Sequence, residues 1–303
     1  MSKKRKIFIV ISIIVLIGIM SFISYTLYKH FTKEEVIAEY KLEELPRIDA
    51  SLATQPLTDA LYAELAGMKV EDLNIEYSNT HPAYVKLING ETDIIVVTEP
   101  SDEELKLASD NNVELEVIPI VNEAFVFFVN KDNPVDNLSL KDIQNVYSGK
   151  TANWKNIGGD DEKILAYQRP TNSGSQTGML SLVMKDIKIK EPLKEEYIET
   201  MAGIIEVVAN YDNAKGALGY SYYYYANTMY GNDNIKFIGV DGVKPTYETI
   251  QDKSYPLMSA YYIVINKNEP KDSKVRKIVS EFLSNRGQKV AKETGYVPVN
   301  KIK

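Results

Sequence analysis

The sequence of 303 residues has no cysteine and only two histidines, His30 and His81. The lack of cysteine excludes a disulfide framework, a lipid-modified cysteine after a signal peptide, and metal clusters built from His and Cys. A Ser-His-acid triad could be built only around His81. The sequence has neither a G-x-S-x-G nucleophile elbow nor a Walker phosphate loop. We therefore expect no catalytic residues and no metal site.

Acidic residues outnumber basic residues outside the N-terminus. Six of the 35 Lys and Arg residues lie within Met1–Lys33, which has no Asp or Glu, so the remainder carries 29 basic and 42 acidic residues, a net charge of −13. Binding to a nucleic-acid backbone requires a basic surface. Nucleic acid is therefore not expected as a partner, whereas a small anion is compatible with one locally positive site.

The longest uncharged run is Ile7–Tyr28, which directly follows a basic cluster at residues 3–6. At about 1.5 Å per residue, such a helix just crosses a hydrocarbon core of about 30 Å. The preceding cations place the N-terminus inside the cell. The sequence thus predicts a cytoplasmic tail at 1–6, a transmembrane signal anchor at 7–28 and an extracytoplasmic remainder. A cleaved signal peptide is the alternative, although Met20–Tyr25 is a poor cleavage site.

A charged stretch at 29–45 predicts a stalk, and apolar runs then alternate with helical patterns. The predicted strands are 93–97, 114–120, 124–129, 163–167, 235–240 and 261–265, and the predicted helices are 58–66, 83–89, 103–109, 140–147, 177–185, 194–200, 203–210 and 274–291. This alternation is typical of an α/β fold with a parallel sheet covered by helices. Roughly 260 exported residues exceed what one core usually holds, so we expect two lobes.

The segment Arg169–Met179 contains the strongest local signal for a binding site. It follows a predicted strand and opens a predicted helix, whose free N–H groups and dipole favour an anion. Ser173 and Ser175 add hydroxyl donors, Gly174 permits close approach of the backbone, and Arg169 supplies a planar cation suited to oxyanions. The alternative is an ordinary serine N-cap beside a surface arginine.

Two further polar segments precede predicted helices. In Asp49–Leu57, Thr54 is a natural N-cap followed by Gln55 and then a proline in the first helical turn. Tyr77–Tyr84 has the same character and includes Thr80. Three helix starts of one kind suggest convergence on one ligand, although routine capping explains each of them alone.

Five segments occur in an order and spacing by which the chain resembles the phosphate-binding proteins of phosphate ABC transporters, within the type II periplasmic-binding-protein superfamily. The resemblance covers residues 47–300. The segments are Asp49–Leu57; Leu138–Gly159, with its Ser-Gly-Lys, Trp and Gly-Gly; Arg169–Ser175; Gly216–Tyr220; and Tyr255–Leu257.

The resemblance implies two α/β lobes that close over an oxyanion. One lobe would comprise 46–122 and 255–303, and the other 123–254. The implied ligands in the first lobe are Thr54, Gln55 and Thr80, and those in the second are Arg169, Ser173, Gly174 and Ser175. It also implies a monomer that needs no cofactor and delivers phosphate or a related oxyanion to an ABC permease.

One position departs from the family pattern. The family has a carboxylate after the strand that matches 93–97, where it accepts the proton of hydrogen phosphate and thereby rejects sulfate. This chain has Thr98 at that position and Glu99 one residue later. Either Glu99 takes over the role, or the exchange relaxes the selectivity for phosphate.

Three hypotheses on function follow. The leading one is a membrane-anchored solute-binding protein for phosphate or a similar oxyanion. The second keeps the fold but makes the chain a membrane-tethered sensor or surface protein, an alternative suggested by the anchor. The third, a phosphatase that uses His81, has the least support.

Overall fold

The computed structural model describes residues 39–210 and 214–302. The predicted cytoplasmic tail at 1–6, the signal anchor at 7–28 and most of the stalk lie outside the described residues. Within the described ranges, no helix has both the length and the apolar character needed to cross a bilayer.

This described part contains ten strands and nine α-helices. The strands are β1 Ile48–Ala50, β2 Ile94–Val97, β3 Leu115–Asn130, β4 Asn137–Leu138, β5 Leu165–Ala166, β6 Ala217–Tyr222, β7 Ile235–Phe237, β8 Gly239–Val240, β9 Met258–Asn266 and β10 Val297–Pro298. The helices are α1 Gln55–Ala66, α2 Thr80–Ile88, α3 Asp102–Asp110, α4 Leu140–Tyr147, α5 Gly174–Gly178, α6 Met201–Asn210, α7 Tyr247–Gln251, α8 Lys274–Leu283 and α9 Asn285–Glu293. π-Helical segments at Met179–Met184 and Tyr224–Met229 follow α5 and β6.

The main sheet is mixed. Its central order is β1-β2-β9-β3-β6-β5, with β7 and β10 also paired to β3, while β4 and β8 form a separate parallel pair. The β1–β2 and β5–β6 pairs are parallel, whereas β9 is antiparallel to both β2 and β3. The prediction of a parallel sheet is therefore correct at both ends of this order and wrong in its middle, because an apolar run does not specify strand direction.

The strand β3 connects the two lobes of the fold. Its residues Leu115–Ala124 pair with β9, and its residues Phe125–Val129 pair with β6. The second part is rich in β-branched and aromatic side chains, which favour strands, and it is fully buried. One continuous strand thus changes partners between Ala124 and Phe125.

Helices cover both faces of β2. Ile94 and Val96 join a core that includes α1, whereas Ile95 and Val97 join a second core with α2. Alternate side chains of a strand point to opposite faces, so a strand buried on both sides has a continuous apolar sequence. Because β1 and β2 are parallel, their carboxyl ends lie at the same sheet edge.

Two predicted helices are wrong in detail. The predicted helix at 194–200 is a short 3-10 turn, Lys194–Glu196. The predicted helix at 274–291 is two helices, α8 and α9, separated at Ser284. The hydroxyl of Ser284 accepts a hydrogen bond from the Gly287 N–H at 3.1 Å and so caps α9.

Candidate functional site

A cavity of ≈ 480 Å³ lies beside the end of β1. Four segments form its walls: the loop between β1 and α1, the start of α2, the segment that leads into α5, and the start of α6. The lining residues are Ser51, Leu52, Ser78, Asn79, Thr80, His81, Pro82, Arg169, Pro170, Asn172, Ser173, Gly174, Glu199, Thr200 and Met201. Open α/β folds bind ligands at the carboxyl ends of their strands, so this position suits a small ligand.

Arg169 is a buried cation with no counterion among the described residues. The residue is 9% exposed, and its Nε and Nη1 atoms have no hydrogen-bond partner among the described residues. Burial lowers the pKa of Arg169 because the charged form loses hydration, and the charge interactions that oppose this shift come from tyrosines. A buried charge is stable when it is paired and hydrogen-bonded. The guanidinium therefore favours an anion in the cavity.

The backbone of Arg169 is fixed by two neighbouring elements. Its N–H donates to the hydroxyl of Tyr220 on β6 at 3.0 Å and to Oε1 of Gln176 on α5 at 3.1 Å. Both partners are buried. The arginine is thus attached to the sheet and to the helix that begins at the cavity.

The start of α5 presents hydrogen-bond donors. Ser173 is the N-cap, and its Oγ accepts from the Gln176 N–H at 3.3 Å. The hydroxyl of Ser175 is buried without a hydrogen-bond partner in the described part of the chain. The first N–H groups of a helix have no intrahelical acceptor. Ser173 and Gly174 line the cavity, and the ligand role of Ser173, Gly174 and Ser175 stays a prediction.

Gly174, in the segment that leads into α5, lies close to Thr98 and Thr80. A β-carbon at Gly174 would collide with Thr98 Oγ1 and would lie 3.0 Å from Thr80 Oγ1. The Thr98 hydroxyl is also buried and, among the residues described, without a hydrogen-bond partner. We call Thr80, Thr98, Arg169 and Ser175 the donor cluster: Thr80 and Arg169 line the cavity, Thr98 lies beside Gly174, and Ser175 follows Gly174 in the chain.

The structure places Thr98 and Glu99 differently. Thr98 contacts Gly174, whereas Glu99 accepts a hydrogen bond from the Ser181 hydroxyl in the π-helical segment. Neither Thr98 nor Glu99 is among the residues that line the cavity. The ligand role of Glu99 stays a prediction.

Thr54 and Gln55 use their polar groups within the first lobe. Thr54 is the N-cap residue of α1, as predicted, but its buried hydroxyl donates to the Val96 carbonyl of β2 and makes no capping hydrogen bond to the helix. The Gln55 N–H donates to the Ser51 carbonyl at 3.0 Å. Ser51 and Leu52 line the cavity in their place. A contact of Thr54 or Gln55 with a ligand stays a prediction.

A buried carboxylate positions the start of α2. Asp49 accepts from the Ser78 N–H at 2.8 Å, from the Ser78 hydroxyl, and from Lys86 Nζ at 3.0 Å. Asp49 lies on β1, so this network connects the strand to the loop that carries Thr80. The network holds the backbone just before Thr80. Asn79, the residue between Ser78 and Thr80, has a left-handed φ of 72°.

The fourth wall was missed by the sequence analysis. Glu199, Thr200 and Met201 line the cavity at the start of α6. Thr200 Oγ1 accepts from the Gly203 N–H at 3.0 Å, so a threonine three residues before glycine was the available signal for this helix start. In the described ranges, no group of His, Asp and Glu could hold a metal ion.

Gly174→Ala tests the close approach of the two lobes. The added methyl group would collide with Thr98, so closure over a ligand should be hindered, and we expect anion affinity to fall by about 5- to 150-fold, or about 1–3 kcal/mol. Calorimetric titration measures the affinity, and thermal unfolding without ligand is the control. Unchanged affinity would show that the lobes do not need this approach.

The two-lobed α/β fold and its cleft define a protein of the periplasmic-binding-protein class. Residues 49–286 match the family model of a PBP superfamily domain, and the chain belongs to this superfamily. The resemblance predicted from the five segments and the predicted two-lobed fold are thereby confirmed.

Named relatives share this fold. The phosphate-binding protein PstS of Staphylococcus aureus (strain bovine RF122 / ET3-1) is 28% identical over 254 residues, which cover 82% of this chain and 76% of PstS. One solved structure is that of a candidate phosphate ABC transporter substrate-binding protein from Clostridium perfringens with bound phosphate. It has a TM-score of 0.63 at 23% identity, and the match covers 84% of this chain and 98% of the C. perfringens chain. An ABC-type phosphate transport receptor from Vibrio cholerae has a TM-score of 0.62 at 20% identity, with coverages of 82% and 98%.

Proposed function

We propose that the chain is an extracytoplasmic solute-binding protein that captures inorganic phosphate or a related oxyanion for an ABC transporter. The observation that carries this proposal is the buried guanidinium of Arg169, whose unpaired N–H groups favour an anion in the cavity. The relatives support phosphate as the anion, because PstS is named for phosphate binding and the C. perfringens structure contains phosphate.

In the proposed complex, the donor cluster surrounds the anion. Arg169 donates to it from one lobe together with the hydroxyls of Ser173 and Ser175 and the Gly174 N–H. Thr80 and Thr98 donate from the other lobe. Hydrogen bonds to an ionised acceptor are shorter and roughly twice as strong as neutral ones, so binding satisfies groups that are otherwise buried and unpaired.

The proposal extends to the arrangement of the chain. Residues 46–122 and 255–303 would form one lobe and 123–254 the other, while the anchor at 7–28 would hold them outside the membrane. A tethered monomer of this kind would present its anion to a permease in the same bilayer. It would bind without a cofactor and catalyse no reaction.

Isothermal titration calorimetry of the purified protein tests the proposal. We expect saturable binding of phosphate at one site per chain. Titrations with sulfate and phosphonates define how selective the site is. No heat with any of these anions would contradict the proposal.

Thr98 gives a prediction on selectivity. A carboxylate at this position can accept the proton of hydrogen phosphate but repels fully ionised sulfate, whereas a hydroxyl can donate to either anion. We therefore expect sulfate to compete with phosphate. Thr98→Asp should lower the affinity for sulfate relative to the affinity for phosphate by about tenfold or more.

The matched control is Thr98→Asn, which has nearly the size of Asp without its charge. It should leave the ratio of the two affinities near that of the unmodified protein. Competition calorimetry near neutral pH measures both ratios. If sulfate already fails to compete with phosphate in the unmodified protein, another group provides the selectivity.

A further inference from the structure

The cavity is larger than a single oxyanion requires. A tetrahedral oxyanion displaces roughly two to three water molecules, or about 60–90 Å³. The cavity has a volume of ≈ 480 Å³, which falls in the range of pockets for small organic ligands. After an anion occupies the donors near Arg169, most of this space is left for another part of the ligand.

The remaining space has apolar walls. Leu52, Pro82, Pro170 and Met201 all line the cavity. Leu52 is 41% exposed, which is unusual for a leucine of this fold, where most large apolar side chains are buried. An exposed apolar side chain in a ligand cleft offers a surface for hydrocarbon groups.

The cavity lining contains one arginine and one glutamate, which carry opposite charges. Arg169 is buried, whereas the carboxylate of Glu199 lies in an exposed residue of the same lining. His81, the other titratable residue of the lining, is hydrogen-bonded through Nδ1 to the buried Glu104 at 3.0 Å. An anionic group that reached Glu199 would be repelled, and a neutral or cationic group would be accepted.

We propose that the cleft accepts tetrahedral oxyanions that carry one short organic substituent, namely alkylphosphonates and phosphate monoesters. The anionic head binds the donors that line the cavity, namely Thr80, Arg169, Ser173 and Gly174, and the substituent follows Leu52 and Met201 toward Glu199. A monosubstituted phosphonate or phosphate keeps three terminal oxygens, which suffice for Arg169 and the hydroxyl donors. This inference rests on the proposed function, because the same donors must bind the anionic head.

Competition calorimetry on the whole purified protein tests the inference. The ligands are inorganic phosphate, methyl phosphate, methylphosphonate, ethylphosphonate and 2-aminoethylphosphonate. We expect the substituted anions to displace phosphate with affinities within about tenfold of it. The methyl phosphate and methylphosphonate titrations distinguish an ester from a direct carbon–phosphorus bond.

The variant Glu199→Gln tests the direction of the substituent. It should lower the affinity for 2-aminoethylphosphonate relative to that for ethylphosphonate by about two- to fivefold, as expected for the loss of an exposed ion pair between the ligand ammonium and the Glu199 carboxylate. An unchanged ratio would overturn the proposed path toward Glu199. Phosphate binding without competition from any substituted anion at ~100-fold excess would overturn the inference and leave the proposed function intact. If no anion binds, phosphate included, both the inference and the proposed function would be overturned.

Discussion

Replacing Arg169 by alanine should cost about 2–5 kcal/mol of binding free energy for phosphate, or roughly 30- to 5,000-fold in affinity. The reason is that the substitution removes the buried cation whose Nε and Nη1 atoms have no protein partner among the described residues. Arg169→Lys should restore part of the loss, because lysine keeps the charge but lacks the planar fork. Titration calorimetry with phosphate measures each affinity.

The stability of the ligand-free protein distinguishes this role from a structural one. Removal of an uncompensated buried charge should leave the free energy of unfolding unchanged or raise it. Arg276 provides the matched control, because it forms an ion pair with Glu116 at 2.9 Å and does not line the cavity. Arg276→Ala should keep phosphate affinity. If Arg169→Ala binds phosphate normally, the proposed site is wrong.

Glu123→Gln should remove a large pH dependence of stability. The side chain is 2% exposed and accepts from the N–H groups of Ala124 at 2.8 Å and Tyr224 at 3.2 Å. Burial nevertheless raises the pKa of Glu123 to about 8, because desolvation of the carboxylate outweighs these hydrogen bonds. The ordinary value is 4.5.

The sign follows from the two pKa values. Between them, the folded protein retains a proton that the unfolded chain has lost, so stability falls as pH rises from about 4.5 to about 8. The full loss is on the order of 5 kcal/mol. Glutamine resembles the protonated side chain, so the variant should match the unmodified protein below this window. Above it, the variant should be more stable by the same amount.

Urea unfolding at a series of pH values measures this effect. Glu116→Gln is a suitable control, because Glu116 lies on the same strand but is more exposed, with its ion pair to Arg276. That variant should keep the pH dependence attributed to Glu123. An unchanged pH dependence in Glu123→Gln would mean that the Glu123 carboxyl does not titrate in this range.

Local signals made part of the site predictable. Arg169 and Ser173–Ser175 belong to one short segment between a strand and a helix, and the serine cap was evident from the sequence. The contact between Gly174 and Thr98 could not be predicted, because it joins residues distant in the chain. Thr54 shows the same limit, since its hydroxyl bonds to Val96 only after β1 and β2 have paired.

The fold was predictable to a similar extent. Apolar runs indicated most strands, but their direction depended on which neighbours they acquired, so the antiparallel pairing of β3 with β9 was missed. Burial of Glu123 gave no signal either, because a glutamate beside apolar residues looks like the solvent side of a strand. One of its hydrogen-bond partners is Tyr224, which lies 101 residues later in the chain.

The continuous strand β3 has a consequence for unfolding. Its first part completes the hydrogen-bond ladder with β9, and its second part completes the ladder with β6. Loss of either lobe would therefore leave the other with a missing strand partner and exposed apolar side chains from Phe125 to Val129. The two lobes should consequently melt as one cooperative unit.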